Sequence, residues 1–271
     1  MTKGWAVVTG ASSGIGLTFA RELARRGYPV LAVARRRERL EALAGEAAER
    51  GERIESLAAD LKTEEGITAV IRRLDRLGEI DLLVNNAGVA TAGDFVSTSL
   101  EEEIGAIQLN VEAVVRVTHD ILPRMVRQGR GGIINLASVV AFQPFPHFAV
   151  YAASKAFVLS FTEALAEEVR GTGVRILALC PGAARTEIDV FAHNEGLLGK
   201  LPSLTAEQVV RTAVRALDGS RVVRVIGRLN GLLVLMNRFM PRWAMRRLMG
   251  VIARPPRSQP APKARLRKTG A

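Results

Sequence analysis

The sequence predicts a doubly wound α/β fold, in which a parallel sheet of about seven strands carries helices on both faces. Three observations lead to this prediction. Short apolar runs alternate with amphipathic helical segments along the chain. The apolar runs show little polar–apolar alternation, as expected for strands that are covered on both faces. A glycine-rich segment, Thr9–Gly16, stands between the first apolar run and the first helical pattern.

The predicted strands are nearly continuous in apolar residues. They are Trp5–Thr9, Val30–Ala34, Ile54–Ala58, Asp81–Val84, Gly132–Ala137, Val174–Leu179 and Val222–Ile226. The first helix is predicted over Gly16–Arg26, with Gly27 closing its end. Thr205–Gln208 has the capping-box pattern that opens a later helix. Because no internal boundary or repeat interrupts this alternation, residues 1–228 are predicted to form one domain.

The composition agrees with one large soluble domain. A chain of 271 residues that is 48% hydrophobic and 24% charged can build a continuous core. The single cysteine, Cys180, has no partner for an internal disulfide, so we expect a reducing compartment and a cytoplasmic location. The histidines lie far apart and predict no metal site; they are His119, His147 and His193. We expect neither a signal peptide at Met1–Lys3 nor a membrane span, since the apolar run Leu229–Met236 is too short.

The net charge of +11 belongs to one end of the chain. Residues 219–271 hold 13 of the 38 Lys and Arg and none of the 27 Asp and Glu, so the remainder, with 25 basic residues, is nearly neutral. The high isoelectric point is therefore weak evidence for nucleic-acid binding, and nucleic acid is not an expected partner. The proline-rich basic segment 254–271 lacks apolar periodicity and is predicted to be disordered.

Residues 229–253 form a basic, amphipathic extension. Arginines recur at about one helical turn beside an apolar set; they are Arg242, Arg246 and Arg247, with Met245, Leu248, Met249 and Ile252. Such a segment fits a membrane interface, where anionic lipids attract the arginines. It also fits a cover over a substrate pocket or a contact between subunits, and the sequence leaves these alternatives open.

The segment Thr9–Gly16 has the position of a phosphate-binding turn. Glycine there permits a tight turn and lets the backbone approach a pyrophosphate at the positive end of a helix. A Rossmann-type dinucleotide site is therefore predicted. Its candidate contacts in this segment are Gly10, Ser12, Ser13, Gly14, Ile15 and Gly16.

The second strand ends in Ala34 and three arginines. An acidic residue at this place, roughly 20 residues beyond the glycines, would bind the ribose hydroxyls of NAD and repel a 2′-phosphate. Ala34 removes that repulsion, and an arginine offers a planar set of donors to a phosphate. We therefore predict NADP(H), bound by Arg35 and Arg36. The alternative is that all three arginines begin a solvated helix. We adopt that interpretation for Arg37 only.

With further motifs in the correct order, the chain resembles the short-chain dehydrogenase/reductase family, in its single-domain branch. The motifs are Thr9-Gly-Ala-Ser-Ser-Gly-Ile-Gly16, Ala59-Asp60-Leu61, Asn85-Asn-Ala-Gly88, Asn110, Ser138, Tyr151-Ala-Ala-Ser-Lys155, and Pro181-Gly182 followed by Thr186. The resemblance covers about Lys3 to Ile226. It implies that residues 1–228 are an NADP-binding catalytic domain.

Tyr151 and Lys155 are four residues apart in a helical segment, so they share one face. An ammonium about 5 Å from the phenol favours the phenolate by about 3 kcal/mol, and we expect it to lower the pKa of Tyr151. Ser138, at the end of a strand, can hydrogen-bond the same substrate oxygen. The resemblance implies that Asn110 holds a water on the proton path to the lysine. The predicted catalytic set is Asn110, Ser138, Tyr151 and Lys155; for the Tyr–Lys pair alone, an ordinary amphipathic helix is the alternative.

Further cofactor contacts are implied by the resemblance alone. They are Asp60 and Leu61 at the adenine, Asn86, Ala87 and Gly88 at the adenosine ribose, Tyr151 and Lys155 at the nicotinamide ribose, and Pro181, Gly182 and Thr186 at the nicotinamide. The alternatives are a helix cap for Asp60 and a turn with left-handed backbone for Asn85 and Asn86. Ala184 departs from the family pattern, in which a branched apolar residue is usual, so contacts at Ala184 and Arg185 are less defined.

Two segments are expected over the active site, Val139–Val150 and Ala183–Leu204, the second as a mobile lid. Their large apolar residues are Phe142, Phe145, Phe148, Phe191, Leu197 and Leu198. These residues favour an apolar carbonyl or alcohol, such as a steroid-like, acyl-chain or aromatic ketone. The alternative is that they pack against the core or a neighbouring subunit. His147 lies in the first segment without a predicted role.

The sequence therefore predicts an NADP(H)-dependent carbonyl reductase. A non-catalytic NADP-binding sensor or scaffold of the same fold is the alternative. Family members form dimers or tetramers through two long central helices, here about Leu100–Arg127 and Tyr151–Arg170, so a homodimer or homotetramer is expected. Peripheral membrane contact through the C-terminal extension is a further expectation.

Overall fold

We describe a computed structural model of the chain for residues 3–183, 203–217, 219, 221–237 and 239–253. Its strands are β1 (Trp5–Thr9), β2 (Val30–Ala34), β3 (Ile54–Ala58), β4 (Ile80–Asn85), β5 (Gly131–Leu136), β6 (Val174–Cys180) and β7 (Val223–Val225). They form one parallel sheet in the order β3-β2-β1-β4-β5-β6-β7. The first three strands have the predicted bounds, and β7 is shorter than predicted.

Helices connect the strands and cover the sheet. They are α1 (Gly14–Arg25), α2 (Arg37–Glu49), α3 (Glu64–Leu74), α4 (Leu100–Ile107), α5 (Ala113–Gln128), α6 (Ala149–Glu168), α7 (Ala206–Leu217), α8 (Arg228–Asn237) and α9 (Arg242–Ile252). A π-helical turn, Gln108–Glu112, joins α4 to α5, so the long helix predicted over Leu100–Arg127 carries an irregular turn at its centre. A 3₁₀ turn, Val139–Phe142, follows β5.

Alternate residues of the central strands face opposite helical layers. On one face, Ala6 and Val8 of β1 belong to a core that includes α1, α2 and α7. On the other face, Trp5 and Val7 belong to a core that includes α3 and α5. This double burial explains why the strands contain so few polar residues. The predicted doubly wound sheet with helices on both faces is confirmed.

Helix ends follow the local sequence. Thr205 N donates to Gln208 Oε1 at 3.0 Å and Gln208 N donates to Thr205 Oγ1 at 3.3 Å, which is the predicted capping box before α7. Gly27, after α1, has a φ of +81°, a conformation that glycine adopts without a steric penalty.

The C-terminal helix α8 packs beside the end of β6. A Cβ on Gly182 would lie 2.3 Å from the Nδ2 of Asn230, which shows how closely α8 approaches the segment after β6. Asn237, at the other end of α8, donates to Gln143 Oε1 at 2.5 Å. Within the described residues, no helix has the length and hydropathy that crossing a bilayer would require.

Buried polar side chains tie the sheet to α5 and α6. Asn85 Nδ2 donates to Asn135 Oδ1 at 2.8 Å, between β4 and β5, and to Thr118 Oγ1 of α5 at 3.0 Å. Asn135 Nδ2 donates to Thr162 Oγ1 of α6 at 3.0 Å. These residues are buried, and an unpaired buried polar group costs about 1–3 kcal/mol. The network therefore fixes both helices against the carboxyl half of the sheet.

We expect Asn135→Ala to lower the free energy of unfolding by about 2–4 kcal/mol, because it removes one buried hydrogen bond each from Asn85 and Thr162 and opens a cavity. Urea unfolding followed by circular dichroism measures this change. Thr212→Ala is the control: it removes a hydroxyl that donates to Gln208 O at the surface, and a change within about 0.5 kcal/mol is expected. If both variants lowered the free energy of unfolding equally, the buried network would stabilise the fold no more than a surface hydrogen bond does.

Candidate active site

The carboxyl ends of β1, β4, β5 and β6 surround a cavity of about 370 Å³. It lies where the sheet order passes from β1 to β4, the place where open parallel sheets bind ligands. The predicted site residues in its lining are Gly10, Ser12, Ser13, Gly14, Ile15, Arg35, Arg36, Asp60, Leu61, Asn86, Ala87, Gly88, Ser138, Tyr151, Lys155, Pro181 and Gly182. The fold thus brings together segments that are distant in the sequence.

Two glycines let the loop after β1 fold tightly. Gly10 has a φ of +69°, and a Cβ there would lie 2.7 Å from Asn86 Nδ2. A Cβ on Gly16 would lie 2.2 Å from Gly10 O, so Gly16 serves the packing of α1 against the loop rather than the cavity wall. The first turn of α1 borders the cavity through Ser13 and Gly14. Its amide groups and its positive end suit a phosphate.

Asn86 holds the end of β4 against this loop. Its Nδ2 donates to Thr9 O at 3.0 Å and to Gly10 O at 3.3 Å. Thr9 Oγ1 accepts from the backbone amides of Asn86 and Ala87, both at 3.0 Å. Neither Asn85 nor Asn86 has a positive φ, so the alternative of a left-handed turn is wrong: β4 runs straight into the clamp that Thr9 forms.

Arg36 contacts the glycine loop. Its Nε and Nη2 donate to Ser12 Oγ at 3.1 and 3.0 Å, and Nη2 also donates to Ser13 Oγ at 2.7 Å. The residue precedes α2 directly and lines the cavity together with Ala34. A guanidinium and two hydroxyls therefore stand together at the end of β2, where an acidic side chain would exclude a phosphate.

Arg35 approaches the same region from the side of Asp60. Its Nη1 lies 4.0 Å from Asp60 Oδ2, and its side chain is 59% exposed. An exposed ion pair at this distance is weak, so the guanidinium stays available to another anion. Asp60 does not cap α3, as the alternative proposed; Thr63 does, accepting from Gly66 N at 3.0 Å. Asp60 Oδ1 instead accepts from Lys62 N at 3.0 Å.

Tyr151 and Lys155 lie one turn apart in α6, facing Ser138 after β5. Tyr151 and Ser138 line the cavity together, and the Ser138 side chain acts to lower the pKa of Tyr151. Lys155 Nζ lies 5.9 Å from the centre of the Tyr151 ring and donates to Leu136 O at 2.7 Å. A phenol, a second hydroxyl and an amine therefore converge on one wall of the cavity.

Burial outweighs charge at this wall. It raises the pKa of Tyr151 to about 12, against the lowering effect of the hydrogen bond with Ser138. It also lowers the pKa of Lys155 to about 8. The prediction that the pKa of Tyr151 is lowered is therefore wrong, because the loss of solvation at the phenol dominates its pKa.

Asn110 lies in the π-helical turn between α4 and α5 and is 1% exposed. Its Oδ1 accepts from Val89 N at 2.9 Å, and its Nδ2 donates to Val89 O at 2.9 Å and to Ser154 Oγ at 3.0 Å. A Cβ on Gly88 would lie 3.1 Å from Asn110 Oδ1 and 3.4 Å from Lys155 Nζ. Asn110 thus stands behind the cavity wall and holds the segment after β4; the water on the proton path stays a prediction.

The aromatic residues after Ser138 pack into the protein. Phe145 and Phe148 are buried, with ring centres 5.5 Å apart, and they pack with Met249 and Ile252 of α9. Phe142 packs in a separate small core beside β6 and β7. The packing alternative is confirmed for these residues, so they lend no support to an apolar substrate.

Several predicted residues fall outside the described part of the chain. They are Thr186, Ala184 and Arg185, the lid residues Phe191, Leu197 and Leu198, and the basic tail 254–271. In the described ranges, no three His, Cys, Asp or Glu side chains are placed to hold a metal ion.

Sequence reasoning missed the apolar part of the cavity wall, which consists of Val89, Leu109, Leu136, Ala137 and Ala183. A signal existed for four of these residues, since each follows or ends a strand at its carboxyl end. Leu109 carried no such signal: it enters the wall because the π-helical turn redirects the helix.

A second missed feature joins the loops after β4 and β5. His147 Nδ1 lies 2.7 Å from Asp94 Oδ1, and Gly93 N donates to His147 O at 2.8 Å. His147 has a φ of +66°, which is uncommon for a residue other than glycine. The two contacts hold this backbone in place, and nothing in the local sequence around His147 points to them.

Comparisons with known proteins agree with this geometry. A family model described as short chain dehydrogenase matches residues 4–195. The relative sulfoacetaldehyde reductase 2 of Chromohalobacter salexigens is 39% identical over 212 residues, which are 75% of this chain and 84% of that enzyme.

Solved structures extend the similarity over nearly the whole chain. A short-chain dehydrogenase from Sphingobium yanoikuyae in complex with NADPH has a TM-score of 0.78 at 33% identity, covering 96% of this chain and 99% of that one. The bulky-bulky ketone specific alcohol dehydrogenase from Comamonas testosteroni has a TM-score of 0.76 at 31% identity, covering 89% and 94%.

We expect Tyr151 to remain un-ionised up to about pH 10.5, because burial raises its pKa to about 12. The chain has two tyrosines, so the near-ultraviolet absorbance of phenolate can be compared between wild type and Tyr151→Phe. The two titrations should coincide up to that pH, with Tyr28→Phe assigning the remaining signal and circular dichroism confirming the fold. If wild type showed phenolate absorbance well below pH 10 and Tyr151→Phe did not, the charge of Lys155 would outweigh burial in setting the pKa of Tyr151.

Proposed function

The chain belongs to the short-chain dehydrogenase family, and from this premise we propose that it is an NADP(H)-dependent oxidoreductase that interconverts a carbonyl and a secondary alcohol. One observation carries the proposal: Ser138, Tyr151 and Lys155 line the same cavity as the glycine loop. A phenol beside the glycine loop supports a proton donor for a substrate that would stand beside the dinucleotide.

The donors in the cavity fit NADP(H). The first turn of α1 suits the pyrophosphate, and the cluster of Arg36, Ser12 and Ser13 suits a 2′-phosphate. Arg35 adds a second guanidinium on the other side of Ala34, and no acidic side chain occupies that strand end. NADP(H), when bound, supplies or accepts the hydride at the substrate carbon.

Tyr151 is the proposed acid and base. Its hydroxyl donates a proton to the carbonyl oxygen during reduction, while Ser138 hydrogen-bonds the same oxygen and orients it. Lys155 stabilises the phenolate that forms and is positioned to bind the nicotinamide ribose. Asn110 supports the path by which the proton is replaced, through its contacts behind the wall.

The pKa of Tyr151 favours reduction. A phenol whose pKa is about 12 is protonated at neutral pH and is ready to donate. Lys155, whose pKa is about 8, carries its charge at neutral pH and loses it as the pH rises through that value. A carbonyl reductase that works near neutral pH needs this combination of a protonated phenol and a charged amine.

The proposed substrate is an apolar ketone or aldehyde of the steroid-like, acyl-chain or aromatic class. Support comes from the apolar wall residues Val89, Leu136 and Ala137, and from the similar Comamonas enzyme, whose name specifies bulky ketones. The Chromohalobacter relative is named for a small polar aldehyde, so such a compound belongs in any substrate panel.

The proposal includes a cytoplasmic homodimer or homotetramer. Apolar residues stand exposed on the two helices that the sequence predicts for assembly: Ile104 and Ile107 on α4, and Phe157 on α6, where it stacks on Phe161 with ring centres 5.7 Å apart. An apolar patch of this kind is typical of a surface covered by another subunit. Light scattering of the intact chain tests the assembly.

We expect the purified chain to oxidise NADPH with members of a ketone and aldehyde panel, and Tyr151→Phe to lower kcat at least about 100-fold, because it removes the proton donor. Absorbance of NADPH measures the rate, and calorimetry should show that Tyr151→Phe still binds NADPH. Tight binding of NADPH without turnover of any panel member by wild type would favour the sensor instead.

We expect Arg36→Ala to weaken NADPH binding about 10- to 100-fold and NADH binding little, because a charge-assisted bond to the 2′-phosphate is lost. Arg37→Ala is the matched control, since that side chain is 70% exposed beside Glu41. Calorimetric titration with both dinucleotides gives the ratio of the NADPH and NADH dissociation constants for each variant. If Arg36→Ala weakened both equally, Arg36 would act only by shaping the loop through Ser12 and Ser13.

A further inference from the structure

Helix α8 carries its polar face inward and its apolar face outward. Four large residues at positions i, i+3, i+4 and i+7 form one stripe, and about half of each is exposed; they are Leu229, Leu232, Leu233 and Met236. Asn230 and Asn237 lie beside this stripe and contact Gly182 and Gln143 of the protein body. This is the reverse of a helix that packs its apolar stripe on the core.

Two large aromatic residues that follow α8 in the chain are also exposed. Phe239, between the two helices, is 82% exposed, and Trp243 at the start of α9 is 58% exposed. Met245 of α9 turns inward, as do Met249 and Ile252, which pack with the buried aromatic pair. Helix α9 is thus anchored by its own apolar side, while Trp243 stays at the surface beside Arg247, 5.6 Å from its ring centre.

Positive charge surrounds this surface. Arg228, Arg242, Arg246 and Arg247 are exposed, and no Asp or Glu occurs between Gly219 and Ala271. The rest of the chain is nearly neutral, so the surplus of positive charge belongs to the C-terminal part of the sequence that holds α8 and α9. Leucines beside arginines and an interfacial tryptophan match the boundary of an anionic lipid bilayer, in which acyl chains take up the apolar groups and headgroups pair with the arginines.

A second copy of this chain fits the stripe less well. Contact between two such surfaces would bring the arginines of both copies together, with no acidic residue on either extension to compensate. The apolar residues of α4 and α6 lie on other helices and lack this surplus of positive charge.

We propose that the outer face of α8, with Phe239 and Trp243, docks this protein onto the surface of an anionic membrane. The helices lie in the interface, since none of those described is long and apolar enough to span it. This inference goes beyond the proposed redox function and does not depend on it. Its consequence for that function is that α8, which touches Gly182 at the cavity, would hold the site beside a store of apolar compounds.

The test is co-sedimentation of the full chain with phosphatidylcholine vesicles that do or do not contain phosphatidylglycerol. We expect binding that requires the anionic lipid and weakens with salt. The emission of Trp243 should shift to the blue on binding, whereas Trp5, which is 8% exposed beneath Arg53, should not respond; Trp243→Phe identifies the signal.

Three variants separate the contributions. Leu232→Glu should reduce vesicle binding at least about tenfold, because it places a charge in the apolar stripe. Arg246→Gln should reduce it about fivefold. Val96→Glu is the matched control: it introduces the same charge at an apolar residue that is 96% exposed on the loop between β4 and α4, and binding should be unchanged.

Several results would overturn the proposal. One is equal binding to neutral and anionic vesicles, and another is binding that Leu232→Glu and Val96→Glu affect alike. A third is binding that survives Leu232→Glu and disappears when residues 254–271 are deleted, which would assign it to the tail alone. Finally, light scattering that shows a smaller assembly for Leu232→Glu would identify the stripe as a contact between copies.

Discussion

The cavity depends on one clamp, the hydrogen bonds that hold the end of β4 against the end of β1. Thr9 Oγ1 accepts from two successive amides, and Asn86 Nδ2 returns two bonds to the backbone of Thr9 and Gly10. At a switch point the connections of neighbouring strands leave in opposite directions, and a crevice opens between them. The clamp sets the width of that crevice, and it requires a glycine at position 10, since a Cβ there would displace Asn86. The loop, the helix end and the wall residues around it all take their places from this contact.

Burial and charge compete on the opposite wall. Lys155 and Tyr151 lie close together, yet both are shifted towards their neutral forms because the surrounding apolar groups solvate charge poorly. For the proposed reduction this is useful: a phenol that keeps its proton can donate it when negative charge develops on the substrate oxygen. The charged amine of Lys155 then stabilises the Tyr151 phenolate that forms. The estimate from distance and charge alone failed because it left desolvation out.

Local patterns predicted the strands, the sheet type, the glycine loop and the arginines after β2, because each depends on residues adjacent in sequence. Most other residues of the cavity wall were implied by the resemblance to the family. The bounds of β1, β2 and β3 follow from short apolar runs between turn residues. What could not be predicted depends on contacts between distant segments. The π-helical turn at Asn110 accompanies its bonds to Val89 and Ser154, and the left-handed backbone of His147 accompanies its contacts with Asp94 and Gly93. The same limit applied to Phe145 and Phe148: their apolar character was visible, but the helix that buries them lies far along the chain.

The two C-terminal helices, α8 and α9, orient their apolar residues in opposite ways. Helix α9 buries Met249 and Ile252 and so gains the usual stabilisation of about 25 cal/mol for each Å² of apolar surface removed from water. Helix α8 lacks that gain on its leucine stripe; Asn230 lies against Gly182 and donates to Ile226 O, and Asn237 donates to Gln143 Oε1. Turning the stripe inward would break those asparagine contacts, so the orientation of α8 is held by the protein body. Because one of the contacts is with Gly182, whatever covers the leucines acts directly beside the proposed nicotinamide end of the cavity.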